Sequence, residues 1–235
     1  MSSGNRADSR GEGSPALRPK DAATLILVRR DGGAPRVLMG QRSSRHVFLP
    51  RKYVFPGGRV DPQDGRVQSV SELDPLCESR LRHQARRRPR AFALTAIRET
   101  FEETGLVVGR SAETDGKSPA GWADYFALGA APSLEGLTFI GRAITPPQRP
   151  RRFDARFFMA LAEDVLIDNR PAMDGAELSD IKWVTLEDAL SLDLPTVTRF
   201  MLGEIGTRLE SPDKAVEPPF MRLTRRGYVR DRIGP

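Results

Sequence analysis

The segment Arg98-Glu99-Thr100-Phe101-Glu102-Glu103-Thr104-Gly105-Leu106 constrains this chain most. Its three carboxylates stand at spacings of three, four and one. On a helix, residues three and four apart are neighbours on one face. At roughly 100° per residue the three glutamates fall within an arc of about 100°. Leu94, Ile97 and Phe101 gather on the opposite side. The predicted helix therefore has an apolar back, to be buried against a larger fold, and an anionic front. Three like charges on one face repel one another. A hard divalent cation, which takes oxygen ligands from carboxylates, would remove the repulsion. The plainer alternative is a solvated Glu-rich face.

The upstream segment Tyr53-Val54-Phe55-Pro56-Gly57-Gly58-Arg59-Val60-Asp61 shifts the balance. A short apolar run enters a Pro-Gly-Gly turn, as at the end of a strand. Glycines there permit positive φ and close approach of backbone to a ligand. Together the two segments resemble the signature of the Nudix hydrolases: Gly, five residues, Glu, seven residues, then Arg-Glu-hydrophobic-any-Glu-Glu-any-Gly-hydrophobic. Gly58 takes the first position, and Arg98, Glu99, Glu102, Glu103, Gly105 and Leu106 fill the second half in register. Asp64 stands where the first Glu is expected and can still carry a carboxylate. Thr100 replaces a hydrophobic residue. Between Asp64 and Arg98 lie 33 residues where the family has seven, so a long insertion has rebuilt the loop that would position Asp64.

An insertion at this place is similar to one in the coenzyme A diphosphatase branch of the superfamily. So is the lead-in Val37-Leu38-Met39-Gly40-Gln41-Arg42-Ser43-Ser44. The likeness extends weakly to residues 152–158 and 177–184, and covers roughly residues 21–190. It implies an α/β fold, the Nudix-type α/β/α sandwich with a mixed β-sheet. It further implies an enzyme acting on phosphorus-containing acid anhydrides. The implied reaction is Mg²⁺- or Mn²⁺-dependent hydrolysis of a diphosphate linkage in a nucleoside diphosphate derivative. Coenzyme A or acyl-coenzyme A leads; NADH, ADP-ribose and oxidised nucleotides are alternatives. A non-catalytic nucleotide- or RNA-binding Nudix module is the alternative from another class.

Glu99, Glu102 and Glu103 are the expected metal ligands, with Glu99 also a candidate acceptor for the proton of attacking water. The family assigns the matching arginine, Arg98, to holding the glutamates, which a fixed guanidinium fork suits. Glu177, in a Gly-Ala-Glu-Leu loop, is a candidate base or a plain solvated carboxylate. Gly57 and Gly58 would offer backbone contacts. Arg42 and Arg152 are candidate substrate-binding side chains, because a guanidinium matches a phosphate bidentately. Prolines 146, 147 and 150 make a surface loop an equal reading for the arginines at 149–152. Carboxylates favour Mg²⁺ or Mn²⁺ over soft-site metals, and the solitary His46 and His83 support no zinc site.

A chain of 235 residues can bury one good core. Its 37 basic and 31 acidic residues leave a net charge of +6. That balance steers anionic partners toward it. The expected partner is a small nucleotide-like substrate. Nucleic acid is disfavoured because no stacking aromatics flank the basic runs, and a homodimer is left open. No apolar run approaches the roughly 20 residues of a membrane span. The single cysteine, Cys77, cannot form an internal disulfide, which points to a reducing cytoplasm. Residues 1–20 lack the apolar stretch of a secretory signal and read as a disordered leader. Residues 21–210 form the domain, with its insertion at about 65–89, and 211–235 are a C-terminal extension with no clear element.

Strands are predicted at 22–28 and 36–41, about a turn at 31–35, and at 53–55 running into the glycine turn. Asp74-Pro75 predicts an N-cap with proline at the first helical position, opening a helix that Pro89 stops. The acidic helix spans 91–104 and closes at Gly105. A strand begins at 106, and an amphipathic helix over 119–128 places Trp122, Tyr125 and Phe126 in the core. Strands follow at 137–144, 156–162 and 181–185. Thr185 to Asp188 resembles a capping box opening a helix to 192, and a last helix covers 195–209. Interleaved strands and helices indicate an α/β class.

Overall fold

A strand that is apolar at consecutive positions must be covered on both faces. Ala-Ala-Thr-Leu-Ile-Leu-Val at 22–28 is such a strand, and it forms the centre of the molecule. The computed structural model describes residues 17–44, 49–113, 118–147, 149–211, 216–224 and 227–235. Most of the expected leader, His46 and Arg225-Arg226 lie outside the described residues. In chain order the elements are β1 (Lys20–Arg29), β2 (Arg36–Arg42), β3 (Tyr53–Val54), β4 (Gly57–Arg59), α1 (Pro75–Arg82) and α2 (Pro89–Thr104). Then come β5 (Gly109–Ser111), α3 (Ala123–Phe126), β6 (Ala130–Pro132), β7 (Thr138–Ile144), β8 (Phe153–Leu161) and α4 (Ala162–Val165). The chain finishes with β9 (Leu178–Thr185), α5 (Leu186–Ser191), α6 (Thr196–Glu210), β10 (Pro219–Thr224) and β11 (Gly227–Arg232).

The main sheet has the order β11-β10-β7-β8-β1-β2-β3. The β1–β8 and β10–β7 pairs are parallel and the rest antiparallel. β8 occupies one edge of β1 from Lys20 to Val28. On the other edge β2 pairs only at Val28 and Arg29 and then splays away. The fork between them is filled by the segment that begins at Tyr53. β3 pairs with β2 through Gly40 and Gln41, and β4 crosses to pair with β1 at Ala22, Ala23 and Thr24. This crossing sets the glycine pair against the acidic helix. It also corrects one expectation: Gly57–Arg59 is a short strand held by β1, not a free turn.

Alternation along β1 divides the core in two. Ala23, Leu25 and Leu27 meet Leu94, Ile97 and Phe92 of α2 on one face, while Ile26 and Val28 meet Met201, Leu202 and Ile205 of α6 on the other. The result is an α/β/α sandwich around a mixed sheet. Thr100, the departure from the hydrophobic pattern, is fully buried because its hydroxyl is spent on the Ala96 carbonyl one turn back, 2.7 Å away. Among the described residues no helix is long and apolar enough to cross a membrane.

The insertion docks rather than dangles. Asp74 caps α1 through the amides of Leu76 and Cys77, as predicted. Pro89 does more than stop that helix, since it opens α2. Cys77 is buried, and burial pushes its thiol up to about 11, which makes it a poor nucleophile at neutral pH. Three expectations are corrected. The 119–128 helix shrinks to the single turn of α3, though Trp122 and Tyr125 are fully buried core residues as expected. The strand expected at 106 begins at Gly109. The C-terminal segment, read as lacking any element, forms the β10–β11 hairpin and extends the sheet beyond β7.

Candidate functional site

α2 starts with Pro89 at its first position and ends with Gly105 in the left-handed conformation at φ 71°. Its apolar back is locked into the sheet, and this fixes how the glutamates face. They do not share one solvated surface. Glu103 is only 4% exposed and accepts a hydrogen bond from the Gly57 amide at 2.8 Å. Glu99 is largely buried beneath β4, and Glu102 is half-exposed at the rim. Gly58 is glycine for a steric reason. A methyl group there would lie 2.3 Å from a Glu99 carboxylate oxygen.

Arg98 is the hub. Its Nη1 donates to Glu102 at 2.9 Å, its Nη2 lies 2.9 Å from Glu99 and donates to the Arg59 carbonyl, and its Nε and Nη2 donate to Asp64 at 2.9 and 3.1 Å. Asp64 is 1% exposed. It also accepts from Thr95 Oγ1 at 2.7 Å, Trp122 Nε1 at 3.0 Å and the Asp61 amide at 3.0 Å. The insertion therefore leaves the Asp64 carboxylate seated beside Arg98. With both oxygens engaged by protein donors, it fixes the arginine rather than facing the open rim.

The charges in this cluster are under strain. Burial, with the neighbouring Glu102 and Glu177 charges, pushes Glu99 up to about 7 despite Arg98. Burial also pushes Glu103 up to about 8, with Glu99 and Glu177 adding to it and the Gly57 amide and Arg42 opposing. Glu102 is raised as well, mainly by partial burial. Burial would raise Asp64 too, but the Arg98 and Thr95 hydrogen bonds, the Arg98 charge and the indole N–H outweigh it and hold its carboxyl below the usual range.

These influences locate the remaining candidates. Glu177, exposed on the loop before β9, is within electrostatic reach of all three glutamates, and Arg42 at the end of β2 is within reach of Glu103. Arg152 is not brought to this cluster. Its guanidinium donates to the carbonyls of Leu17 and Thr145, tying the chain before β1 to the start of β8. Trp122, expected only as a core residue, also reaches this cluster through its bond to Asp64. The available signal was its indole N–H, which needs an acceptor when buried in an apolar cluster.

No family model matches the chain. A crystal structure of a Nudix hydrolase from Alicyclobacillus acidocaldarius superimposes with a TM-score of 0.63 at 31% identity, over 79% of this chain and 90% of that one. The chain belongs to the Nudix hydrolase family. Among curated proteins, a Caenorhabditis elegans protein named as nudix hydrolase 7 is 26% identical over 70% of this chain and 51% of its own length. The acyl-coenzyme A diphosphatase NUDT19 of Gallus gallus is 27% identical over 75% of this chain and 64% of its own length. The chain thus spans between half and two thirds of the curated relatives it matches.

The Nudix helix carries donors that suit a hard divalent cation. Of its three carboxyl groups, two are buried and have raised pKa values, so their charged forms want a cationic partner beyond Arg98. Among the described residues, no three carboxylate, imidazole or thiolate side chains are already gathered so as to hold a metal ion. Glu99 and Glu102 are instead drawn onto Arg98. The same carboxylates that would hold a cation are thus already placed side by side by the guanidinium. The glycine at 58 is part of that geometry. Gly58→Ala should fold but push the Glu99 carboxylate aside. A misplacement of about 1 Å costs on the order of 100-fold in rate, readable as kcat/KM with unchanged melting temperature.

Proposed function

We propose that the chain hydrolyses a diphosphate linkage in a nucleoside diphosphate derivative, coenzyme A or acyl-coenzyme A first, with Mg²⁺ or Mn²⁺. The observation that carries this reading is the crowding of three carboxyl groups on α2, two of them buried against the β4 backbone with their charged forms disfavoured until a cation joins them. A bound divalent ion would neutralise pyrophosphate charge and acidify a water molecule. Glu99, Glu102 and Glu103 would hold it. Arg98 would keep Glu99 and Glu102 in place, and the Gly57 amide Glu103. Glu177 would accept the proton of the attacking water from the rim. Gly57 and Gly58 would let the backbone approach the diphosphate, and Arg42 would face one of its phosphates. The lone, reduced Cys77 is consistent with action in a cytoplasm. The substrate class is supported by the Gallus gallus relative, an acyl-coenzyme A diphosphatase by name.

The test is a substrate panel under Mg²⁺ or Mn²⁺: coenzyme A, acyl-coenzyme A, NADH, ADP-ribose, dinucleoside polyphosphates and oxidised dGTP. Coenzyme A or its acyl form should give the highest kcat/KM, with products separated by chromatography. Preference for NADH, ADP-ribose or oxidised dGTP would overturn the substrate class. No turnover of any compound would overturn the enzymatic reading.

A further inference from the structure

Gly121 and Trp122 lie outside the Nudix signature, yet they reach the glutamate cluster. Gly121 has φ +83°, and a methyl group on it would sit 3.5 Å from Cδ of Arg98 and 3.7 Å from Oε1 of Glu102. That oxygen is the one Arg98 does not hold, because Arg98 Nη1 bonds Oε2. The next residue, Trp122, is fully buried and turns its indole N–H onto Asp64 Oδ1, the same oxygen that Arg98 Nε engages. Trp122 is itself wedged against Tyr125 and Phe126, with ring centroids 5.2 and 5.9 Å away. Tyr125 packs edge-on against Phe101 on α2 at 5.4 Å.

We infer that Gly121-Trp122 is a positioning element of the catalytic centre. Trp122 acts through Asp64 and Arg98 on the orientation of Glu102 and Glu99, and Gly121, whose positive φ favours glycine, makes the turn that brings Trp122 to Asp64. The inference rests on the proposed metal-dependent reading. Its physical content is a chain of directional contacts. The indole donor fixes one Asp64 oxygen, Asp64 fixes the plane of the Arg98 fork, and the fork decides where two glutamates point. Without that donor, Oδ1 of Asp64 is left to Arg98 Nε alone, while Thr95, the Asp61 amide and Arg98 Nη2 all hold Oδ2, so the side of the carboxylate that faces Nε loses its second anchor. Contacts that orient the ligands of a metal are worth roughly 10–100-fold in affinity or activity when removed.

The experiment compares two variants that each delete one buried hydrogen bond from the same aromatic cluster. Trp122→Phe removes the donor to Asp64 and keeps an aromatic ring. Tyr125→Phe removes the 2.6 Å bond from the Tyr125 hydroxyl to the Val108 carbonyl and leaves Asp64 untouched. Mn²⁺ binding is measured by electron paramagnetic resonance on substrate-free protein, beside thermal melting. Trp122→Phe should weaken Mn²⁺ binding roughly 10-fold or more, while Tyr125→Phe stays within about 2-fold of the parent at a comparable loss of melting temperature. Parental Mn²⁺ affinity in Trp122→Phe would overturn the inference alone. So would equal weakening in both variants, which would reduce Trp122 to a packing residue. A parent protein that takes up no Mn²⁺ would remove the proposed function and this inference with it.

Discussion

Glu103→Gln is expected to lower metal-dependent hydrolysis about 1,000-fold and to leave the melting temperature unchanged or raised. The first half follows from charge. A metal ion contributes several kcal/mol of transition-state stabilisation, and about 4 kcal/mol corresponds to roughly three powers of ten in rate. An amide at 103 is a neutral, weaker ligand than a carboxylate. The second half follows from burial. Glu103 is almost wholly enclosed, and its carboxyl is pushed up to about 8, so the folded state disfavours its charged form. Glutamine has the same shape and keeps a carbonyl oxygen for the Gly57 amide. A residue held for the fold would show the opposite pattern, with stability lost and rate retained. The comparison needs kcat/KM at saturating Mg²⁺ and a thermal melt of each protein. Glu102→Gln tests the exposed end of the same cluster and should also abolish turnover, since Glu102 reaches the rim. Full activity in both variants would remove the metal site from α2.

Legibility in the sequence tracked how local each feature is. The acidic helix was readable because its period, its glycine stop and its apolar back all lie within residues 89–105. The β1–β2 hairpin was readable for the same reason. The β10–β11 hairpin was not. β10 pairs with β7 at Phe220 and Met221, opposite Arg142 and Ala143, and β11 is an exposed edge. Such strands carry little alternation to detect. Proline at 218 and 219 and the surrounding arginines mask what remains.

The site shows the same division. Glu99, Glu102 and Glu103 could be grouped from spacing, and Arg98 joined them through the family resemblance. The place of Asp64 could not, because it depends on where a long insertion returns the chain. That return is set by contacts no spacing rule contains. Arg90 bonds the Gly65 carbonyl, Ser69 and Glu72, and Arg87 meets Asp21 on β1. Trp122 escaped for a related reason. Its ring does belong to the core, as expected, and only its N–H reaches the site.

Asp64→Ala is expected to destabilise the fold by about 3–5 kcal/mol, the range for removing one partner of a buried ion pair. Arg98 would keep Glu102, Glu99 and the Arg59 carbonyl, so the lower end of that range is expected. The Trp122 indole would lose the acceptor it has now. The pH dependence separates this charge effect from simple loss of packing. The Asp64 carboxyl is depressed in the fold, and an unfolded aspartate titrates near 3.9. Its contribution is therefore fully present above about pH 4 and is lost as pH falls through the lower folded value. Urea denaturation of parent and variant across the pH scale reads this directly. The gap between them should hold constant from neutral pH down to about pH 5 and then narrow below about pH 4. A gap that stayed the same width in acid would mean that Asp64 supports the fold by shape alone. In that case the arginine would hold the glutamates without a carboxylate behind it.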